Sequence, residues 1–354
     1  MKIAILKRHI GPGGGLEKYF RKVYSALIDR GHKVTVLSMD PAEQFAGVQI
    51  GRKGPFTFLN MIVFDLKARK WLAKHPQDIV LGWDRHFLPL THYRAGNGCH
   101  AAFLERRKKE SSWLKKLLLF CNPLHLATLI SEKKTFESKT TKIICNSHLV
   151  RQEILRFYPK ACPENIVVIH NGVEWSEMED AFAKREQLSI PHLLFVGHEW
   201  QRKGLDRLLQ ALPLLKTPFF LTCIGKERHL KKFAALVKKL GLEACVELIP
   251  SPQNPIPFYQ KASIMVIPSR YDPFANVTLE ALAMGLFVIT TQANGGSEVL
   301  TPETGIVLKE TATPAEFASA IESAIVSPAA SRELAKEYDF SKKLAEFVQF
   351  IENN

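Results

Sequence analysis

The 354-residue sequence predicts an α/β protein of two Rossmann-like domains, each built on a parallel sheet. Three observations carry this expectation. Short apolar runs alternate along the chain with segments whose apolar positions recur every three to four residues, the pattern of buried strands joined by crossover helices. The first run, residues 2–6 (KIAIL), leads into a glycine-rich turn, GPGGG at 11–15, where a helix should begin. A polar, acidic stretch near residues 170–186 (HNGVEWSEMEDAFAKRE) then interrupts the alternation and separates a first domain, 1–170, from a second, 171–337.

Within the first domain, Leu16, Phe20, Val23 and Leu27 keep helical spacing, and Gly31 ends that helix before a strand at 34–38. Further strands are expected at 79–82, 143–146 and 166–169. Residues 93–100 (YRAGNGCH) are rich in glycine and polar groups and read as a loop rather than core. The second domain opens with a strand at 193–197 (LLFVG). A helix follows QRKG (201–204), with Leu205, Leu208, Leu209 and Leu212 on one face, and strands are expected at 219–224, 246–249, 264–267, 287–290 and 306–308. The tail, 338–354, is amphipathic through Phe340, Leu344, Phe347, Val348 and Ile351.

Composition narrows the class. With 46% apolar residues the chain can bury two ordinary cores. Six cysteines are scattered without CxxC pairs, and Cys145, Cys223 and Cys245 sit in apolar runs, which points to a reducing cytoplasm and no zinc site. The apolar run before Lys7 is too short for a signal peptide, and no stretch approaches the length of a bilayer span. Charge is uneven: residues 1–165 hold 29 Lys and Arg against 13 Asp and Glu, a net +16, whereas the remainder is −3. A half so basic must face something acidic, and nucleic acid, anionic lipid and phosphorylated glycolipid are the candidates.

The second domain carries the chemistry in residues 272–285, DPFANVTLEALAMG. The preceding IMVIP (264–268) reads as a buried strand, and a helix is expected from Asn276 to its stop at Gly285. The first helical amides, at Asn276, Val277 and Thr278, would lie unpaired at the sheet edge, where a diphosphate is favoured. Glu280, one turn on, can accept paired hydrogen bonds from a ribose diol, and Asp272 faces whatever lies beyond the phosphates. Arg202 and Lys203, just after Gly197 in VGHEWQRKG, would meet the same diphosphate and neutralise its charge without a metal. Gly14 and Gly15 can let backbone approach the donor or the acceptor. The geometry points to a sugar nucleotide.

These residues carry a resemblance. D-x7-E from Asp272 to Glu280, continuing into ALAMGLFVIT and NGGSE (294–298), is similar to the donor-site signature of the retaining family 4 glycosyltransferases. GPGGGLEKY (11–19), HNGV (170–173) and VGHEWQRKG (196–204) agree in the same order, and the chain is most similar to the bacterial lipopolysaccharide core glucosyltransferases. The resemblance implies the GT-B fold, with two parallel sheets facing across a cleft and the tail helix crossing back to the first domain. It implies transfer of a hexose, glucose from UDP-glucose, to a membrane glycolipid such as the lipopolysaccharide core, with no metal or other cofactor. The transfer would occur on the front face, with Asp272 holding sugar hydroxyls. On the acceptor side this chain has Asn97, with His100 nearby, where the core enzymes carry an acidic residue, and Tyr19 where they have the Asp of G-G-L-x-x-D. Asp272, His100 and Asn97 are thus the expected catalytic residues.

Residues 104–134 contain Arg106, Arg107, Lys108, Lys109, Lys115 and Lys116 among Trp113 and a run of leucines. Such a basic amphipathic stretch can lie in an anionic membrane interface, and it places the protein peripherally on the inner face of the plasma membrane. The bland alternative is a solvated charge run beside a core helix. Nucleic acid is not expected, because the aromatics are not interleaved as a stacking platform. Two other readings remain: a UDP-sugar epimerase of the same fold, which leaves the basic segment unexplained, and a non-catalytic peripheral membrane binder.

Overall fold

The computed structural model describes residues 1–11, 15–42, 45–109, 122–185, 188–327 and 330–353. The chain divides into two compact units, Met1–His170 with Leu344–Asn354, and Asn171–Lys343. Gly14, Trp113, Lys115 and Lys116 lie outside the described residues.

In the first unit a seven-stranded, wholly parallel sheet runs in the order β3-β2-β1-β4-β5-β6-β7. Its strands are β1 (Lys2–Leu6), β2 (Lys33–Ser38), β3 (Val48–Gln49), β4 (Ile79–Gly82), β5 (His92–Arg94), β6 (Lys142–Cys145) and β7 (Ile166–Val168). The helices are α1 (Gly15–Asp29), α2 (Thr57–Lys74), α3 (His100–Lys109), α4 (Pro123–Phe136) and α5 (His148–Phe157). Strands with helices on both faces need apolar residues at every position, and residues 3–6 of the central β1 are all completely buried.

Residues 93–100 depart from the expected loop. Tyr93 and Arg94 are strand residues, and Tyr93, Arg94, Ala95 and Cys99 are buried. Arg94 tolerates this because its guanidinium lies over the rings of Tyr19 (4.3 Å) and Trp83 (5.1 Å). Tyr19, at the position where the resembling enzymes have an Asp, is therefore a core residue, in ring contact with Trp83 and with Phe347, each at 5.9 Å. Only the tip of the segment is open: Asn97 is exposed in a turn completed by Gly98 at φ 71°.

Beneath that turn the Glu132 side chain is wholly buried and accepts from Arg85 Nε (2.8 Å), the His100 amide (2.8 and 3.1 Å) and the Tyr158 hydroxyl (2.7 Å). These contacts tie α3, α4 and the segment after β4 to one carboxylate.

The second unit holds a six-stranded parallel sheet in the order β10-β9-β8-β11-β12-β13. Its strands are β8 (His192–Val196), β9 (Phe220–Gly225), β10 (Val246–Pro250), β11 (Ile264–Ile267), β12 (Phe287–Thr291) and β13 (Gly305–Leu308). The helices are α6 (Trp175–Phe182), α7 (Leu205–Ala211), α8 (Leu230–Lys239), α9 (Ile256–Lys261), α10 (Asn276–Ala283), α11 (Pro314–Ile325), α12 (Glu333–Glu337) and α13 (Phe340–Asn353). Leu205, Leu208 and Leu209 of α7 pack with Phe317 and Ile321 of α11 in one core, while Leu279 and Leu282 of α10 pack with Met178 of α6 in another. Helix α13 starts in this unit, where Val173 N donates to Tyr338 O and Phe340 N donates to Val173 O (2.9 and 2.8 Å). It continues as part of the first unit, burying Phe347, Val348 and Ile351 and pairing Glu352 with Arg30 (2.6 Å) and His32 (2.7 Å). Among the described residues no helix is long and apolar enough to cross a membrane.

Replacing Glu132 by Leu keeps the bulk but strands Arg85, Tyr158 and the His100 amide. It should cost about 3–5 kcal/mol of unfolding free energy, the usual penalty for breaking a buried ion pair from one side. Urea denaturation measures this, and a midpoint unchanged from the wild type would show that the carboxylate does not anchor the unit.

Candidate active site

The strands of the second sheet all point the same way, so the loops leaving β8, β11 and β12 gather at one edge, where ligands bind in open α/β folds. Arg202 and Lys203 follow β8, Asp272 follows β11, and Asn294 follows β12. Gly204 lets the first of these loops close onto the second: it sits at φ +80°, and a Cβ there would fall 2.0 Å from the Pro268 carbonyl oxygen. Gly197 leaves room in the same way, because its face is covered by the Lys203 stem, which a Cβ would meet at 3.1 Å.

The three charged residues form one cluster. Asp272 Oδ2 lies 2.5 Å from Lys203 Nζ and 3.1 Å from Arg202 NH1, while Asp272 Oδ1 accepts from the Phe274 amide at 3.1 Å. Arg202 also donates to the Tyr271 carbonyl (2.9 Å) and to Glu199 (2.6 Å). Burial alone would raise the Asp272 carboxyl, but Lys203 and then Arg202 outweigh it and hold it below the usual carboxylate range. A depressed carboxyl stabilises the fold above its unfolded value, near 4, and that stability is lost only as the pH falls through the lower, folded value. Asp272 is thus ionised throughout the neutral range, and it shares Arg202 with the exposed Glu199 carboxylate.

Helix α10 begins beside this cluster. Among the described residues nothing accepts from the amides of Asn276 and Val277, so two oriented donors stand at the positive end of the helix. Thr278 does not share this role: its amide donates to Ala275 O (2.9 Å), its hydroxyl accepts from Asn294, and it is completely buried. The expected run of three open amides is therefore two. Glu280, one turn further in and half-buried, accepts a 2.5 Å hydrogen bond from the Tyr259 hydroxyl, which fixes one carboxylate oxygen.

Three residues with a part in this edge were given no individual role from the sequence, although Asn294 lies in NGGSE and Asn171 in HNGV. Asn294 is fully buried; its Oδ1 accepts from the amides of Ala275 (3.0 Å) and Gly296 (2.9 Å), and its Nδ2 donates to the hydroxyls of Thr278 (3.2 Å) and Thr290 (3.0 Å). It holds the start of α10 against β12. Asn171, in HNGV, donates to Asn276 Oδ1 at 2.8 Å and so orients that side chain. Tyr259 is the third. The asparagine before a glycine pair was the one available signal for Asn294.

In the first unit, Gly15 opens α1 and His100 opens α3. The His100 ring contacts His125 (Nε2 to Nδ1, 3.0 Å) and stacks on Phe103. Burial, with Arg85 and His125 adding to it, pulls the His100 pKa down to about 3, so the imidazole is neutral and can exchange hydrogen bonds but carries no charge. Asn97 has no such support and is exposed. At the end of α3, Arg106 pairs with Glu153 at 2.5 Å, Arg107 and Lys109 are exposed, and Lys108 is half-buried; the four lie in the last turn, where cations suit the helix dipole.

Asn294→Ala strips partners from two amides and two hydroxyls at once. A loss of at least about 3 kcal/mol is expected, since each buried group left unsatisfied costs roughly 1–3 kcal/mol. Guanidinium denaturation with an unaltered m-value reads it; a loss below about 1 kcal/mol would mean that water replaces the side chain and that Asn294 is not what holds α10.

Residues 13–177 match the family model described as Glycosyltransferase Family 4, and residues 190–326 match Glycosyl transferases group 1. The lipopolysaccharide glucosyltransferase WaaG of Escherichia coli (strain K12) is 27% identical over 306 residues, covering 80% of this chain and 78% of its own. The crystal structure of WaaG superposes with a TM-score of 0.81 at 24% identity, over 99% of this chain and 100% of the other. The Anabaena protein Alr3699/HepE in complex with UDP-glucose superposes with a TM-score of 0.71 at 16% identity, over the whole of both chains. With these matches and two parallel Rossmann-like units carrying the D-x7-E edge, the chain belongs to the family 4 glycosyltransferases and has their GT-B fold.

Proposed function

We propose that this glycosyltransferase moves a hexose, glucose from UDP-glucose, onto a membrane-associated glycolipid of the lipopolysaccharide-core kind, with retention of configuration and without a metal ion. The observation that carries the reading is the pair of cations, Arg202 and Lys203, beside two helix amides from which nothing among the described residues accepts. Four donors converge there, two charged and two backbone, which is the complement of a diphosphate. The similarity to a lipopolysaccharide glucosyltransferase and to a protein crystallised with UDP-glucose supports the choice of donor.

On this reading the acceptor oxygen attacks the anomeric carbon from the face that the diphosphate leaves. The bond from that carbon to the phosphate oxygen breaks with its electron pair staying on UDP, and the acceptor proton passes to a departing phosphate oxygen. Negative charge on the diphosphate grows along this path, so Arg202 and Lys203 act more strongly in the transition state than in the ground state. The diphosphate replaces Asp272 on the two cations, and the released carboxylate then holds sugar hydroxyls. Glu280, steadied by Tyr259, takes the ribose diol. Gly14 and Gly15 give backbone access to the substrates, and Asn97 and the neutral His100 serve the acceptor. The basic first unit, including exposed Arg107 and Lys109, faces the anionic inner surface of the plasma membrane from the cytoplasm.

A screen of UDP-sugars with lipid acceptors tests the reading: release of UDP with an α-linked product is expected, and it should survive EDTA. Isomerised sugar without transfer would point to an epimerase, and a strict Mg²⁺ requirement would end the metal-free mechanism. Arg202→Ala with Lys203→Ala should lower kcat more than it raises KM; a change in KM alone would reduce these residues to holding substrate. Asp272→Asn removes the anion that competes with UDP for both cations. UDP affinity should rise by about tenfold, equivalent to roughly 1.4 kcal/mol, while transfer falls. Calorimetry showing weaker UDP binding in that variant would overturn the exchange of anions.

A further inference from the structure

Glu199 holds a backbone conformation that residues with a side chain seldom adopt. Its φ is +56°, in the left-handed region, which among the described non-glycine residues only Ala46 and Ser251 share. The loop after β8 imposes it. The Glu199 amide donates to the Lys226 carbonyl (3.1 Å), and the Glu199 carbonyl accepts from the amides of Arg202 (2.8 Å) and Lys203 (3.1 Å). On either side, the Lys226 amide donates to His198 Nδ1 (2.8 Å) and the Trp200 amide donates to Glu227 (2.7 Å). The turn that presents both cations therefore hangs on the main chain of residue 199. Every one of these bonds would form with glycine there, and without strain. The loop accounts for the conformation and leaves the carboxylate unexplained.

That carboxylate reaches one group among the described residues, Arg202 Nε at 2.6 Å, and the Glu199 side chain is 70% exposed. An ion pair so open to water adds little to stability, so it does not offset the strain. Strain that the fold does not need points to function. Arg202 is divided between two acids in different surroundings: NH1 goes inward to Asp272, whose side chain is 9% exposed, and Nε goes outward to Glu199. Glu199 lies three residues before Arg202 on the same loop, so it remains beside the guanidinium when a bound anion takes over the other nitrogens.

The chemistry of transfer gives such a carboxylate a role. When the bond to the sugar breaks, its electron pair stays on UDP, and once the accepted proton passes to solvent the product carries more negative charge than the donor did. The cations that favour the departing diphosphate therefore hold the product more tightly than the substrate. A neighbouring anion that competes for the same guanidinium lets the product go. We infer that Glu199 is a positioning residue that takes Arg202 back from the bound UDP and so speeds product release. The inference rests on the reading of Arg202 as a ligand of the diphosphate.

The test follows UDP on the full chain, by calorimetry for affinity and by stopped-flow displacement of a fluorescent UDP analogue for the rates. Glu199→Gln keeps the backbone and the length of the side chain and removes the charge. UDP should leave about fivefold more slowly, the factor that an exposed ion pair of this kind is worth, with its association rate unchanged. Glu199→Gly should slow release equally and melt no lower than the wild type, because the strain goes with the side chain. In the Arg202→Ala background, Glu199→Gln should have no effect on release. Unchanged release in Glu199→Gln alone would overturn the inference, while UDP binding by the wild type left the donor reading in place. So would a gain confined to the association rate, or one that persists without Arg202, since either would mean that the carboxylate repels UDP through the general field of the site. A lower melting temperature in Glu199→Gly would assign the side chain to the fold instead. A wild type that binds no UDP would overturn the donor reading and the inference with it.

Discussion

Asp272 stays ionised in a buried position only because Lys203 and Arg202 reach it, and Lys203 can be buried only because Asp272 is there. Neither half of this arrangement is tolerable alone, since an uncompensated buried charge costs several kcal/mol. The surrounding backbone is shaped to allow it: Gly197 makes way for the lysine stem, Gly204 brings the loop after β8 against the exit of β11, and Asn294 fixes the residues that follow Asp272. The cluster is open on one side. Arg202 divides its guanidinium between the buried Asp272 and the exposed Glu199, so an anion arriving at this edge competes with two carboxylates for two cations.

Much of the sheet architecture was legible because a parallel strand covered on both faces is a continuous apolar run, and eleven of the thirteen strands coincide with such runs to within a residue or so. The failures have a common cause. β3 is two residues long, β5 reads HYR, and neither offers apolar periodicity; β5 is a strand because β4 and β6 flank it and because Tyr19 and Trp83 shelter its arginine. The same contact explains Tyr19, whose place in the core depends on Arg94, far away in sequence.

The site divides in the same way. Asp272, Arg202 and Lys203 could be singled out directly as charged residues following apolar strands, and Glu280 as the acid one turn into the next helix. Asn294 and Asn171 lie in the motifs NGGSE and HNGV and Tyr259 lies in none, but the part each plays could not be read, because it depends on groups 19, 105 and 21 residues away. Helix α2 is a further case: TFLNMIVFDLKARKWLAK is apolar nearly all round in its first half, and only the fold decides which side faces inward.

Helix α13 has a consequence for how the chain matures. Phe347 and Ile351 close the aromatic cluster of Tyr19 and Trp83 and the edge near Arg30, yet they are made after the whole second unit. At ribosomal speeds of about 5–20 residues per second, the intervening 171–343 take roughly ten to thirty-five seconds to synthesise. Through that interval the first unit is out of the ribosome but lacks its closing helix, with aromatic and aliphatic surface uncovered. The unit that emerges first is thus the one that finishes folding last, and its early form is a natural client for a holding chaperone.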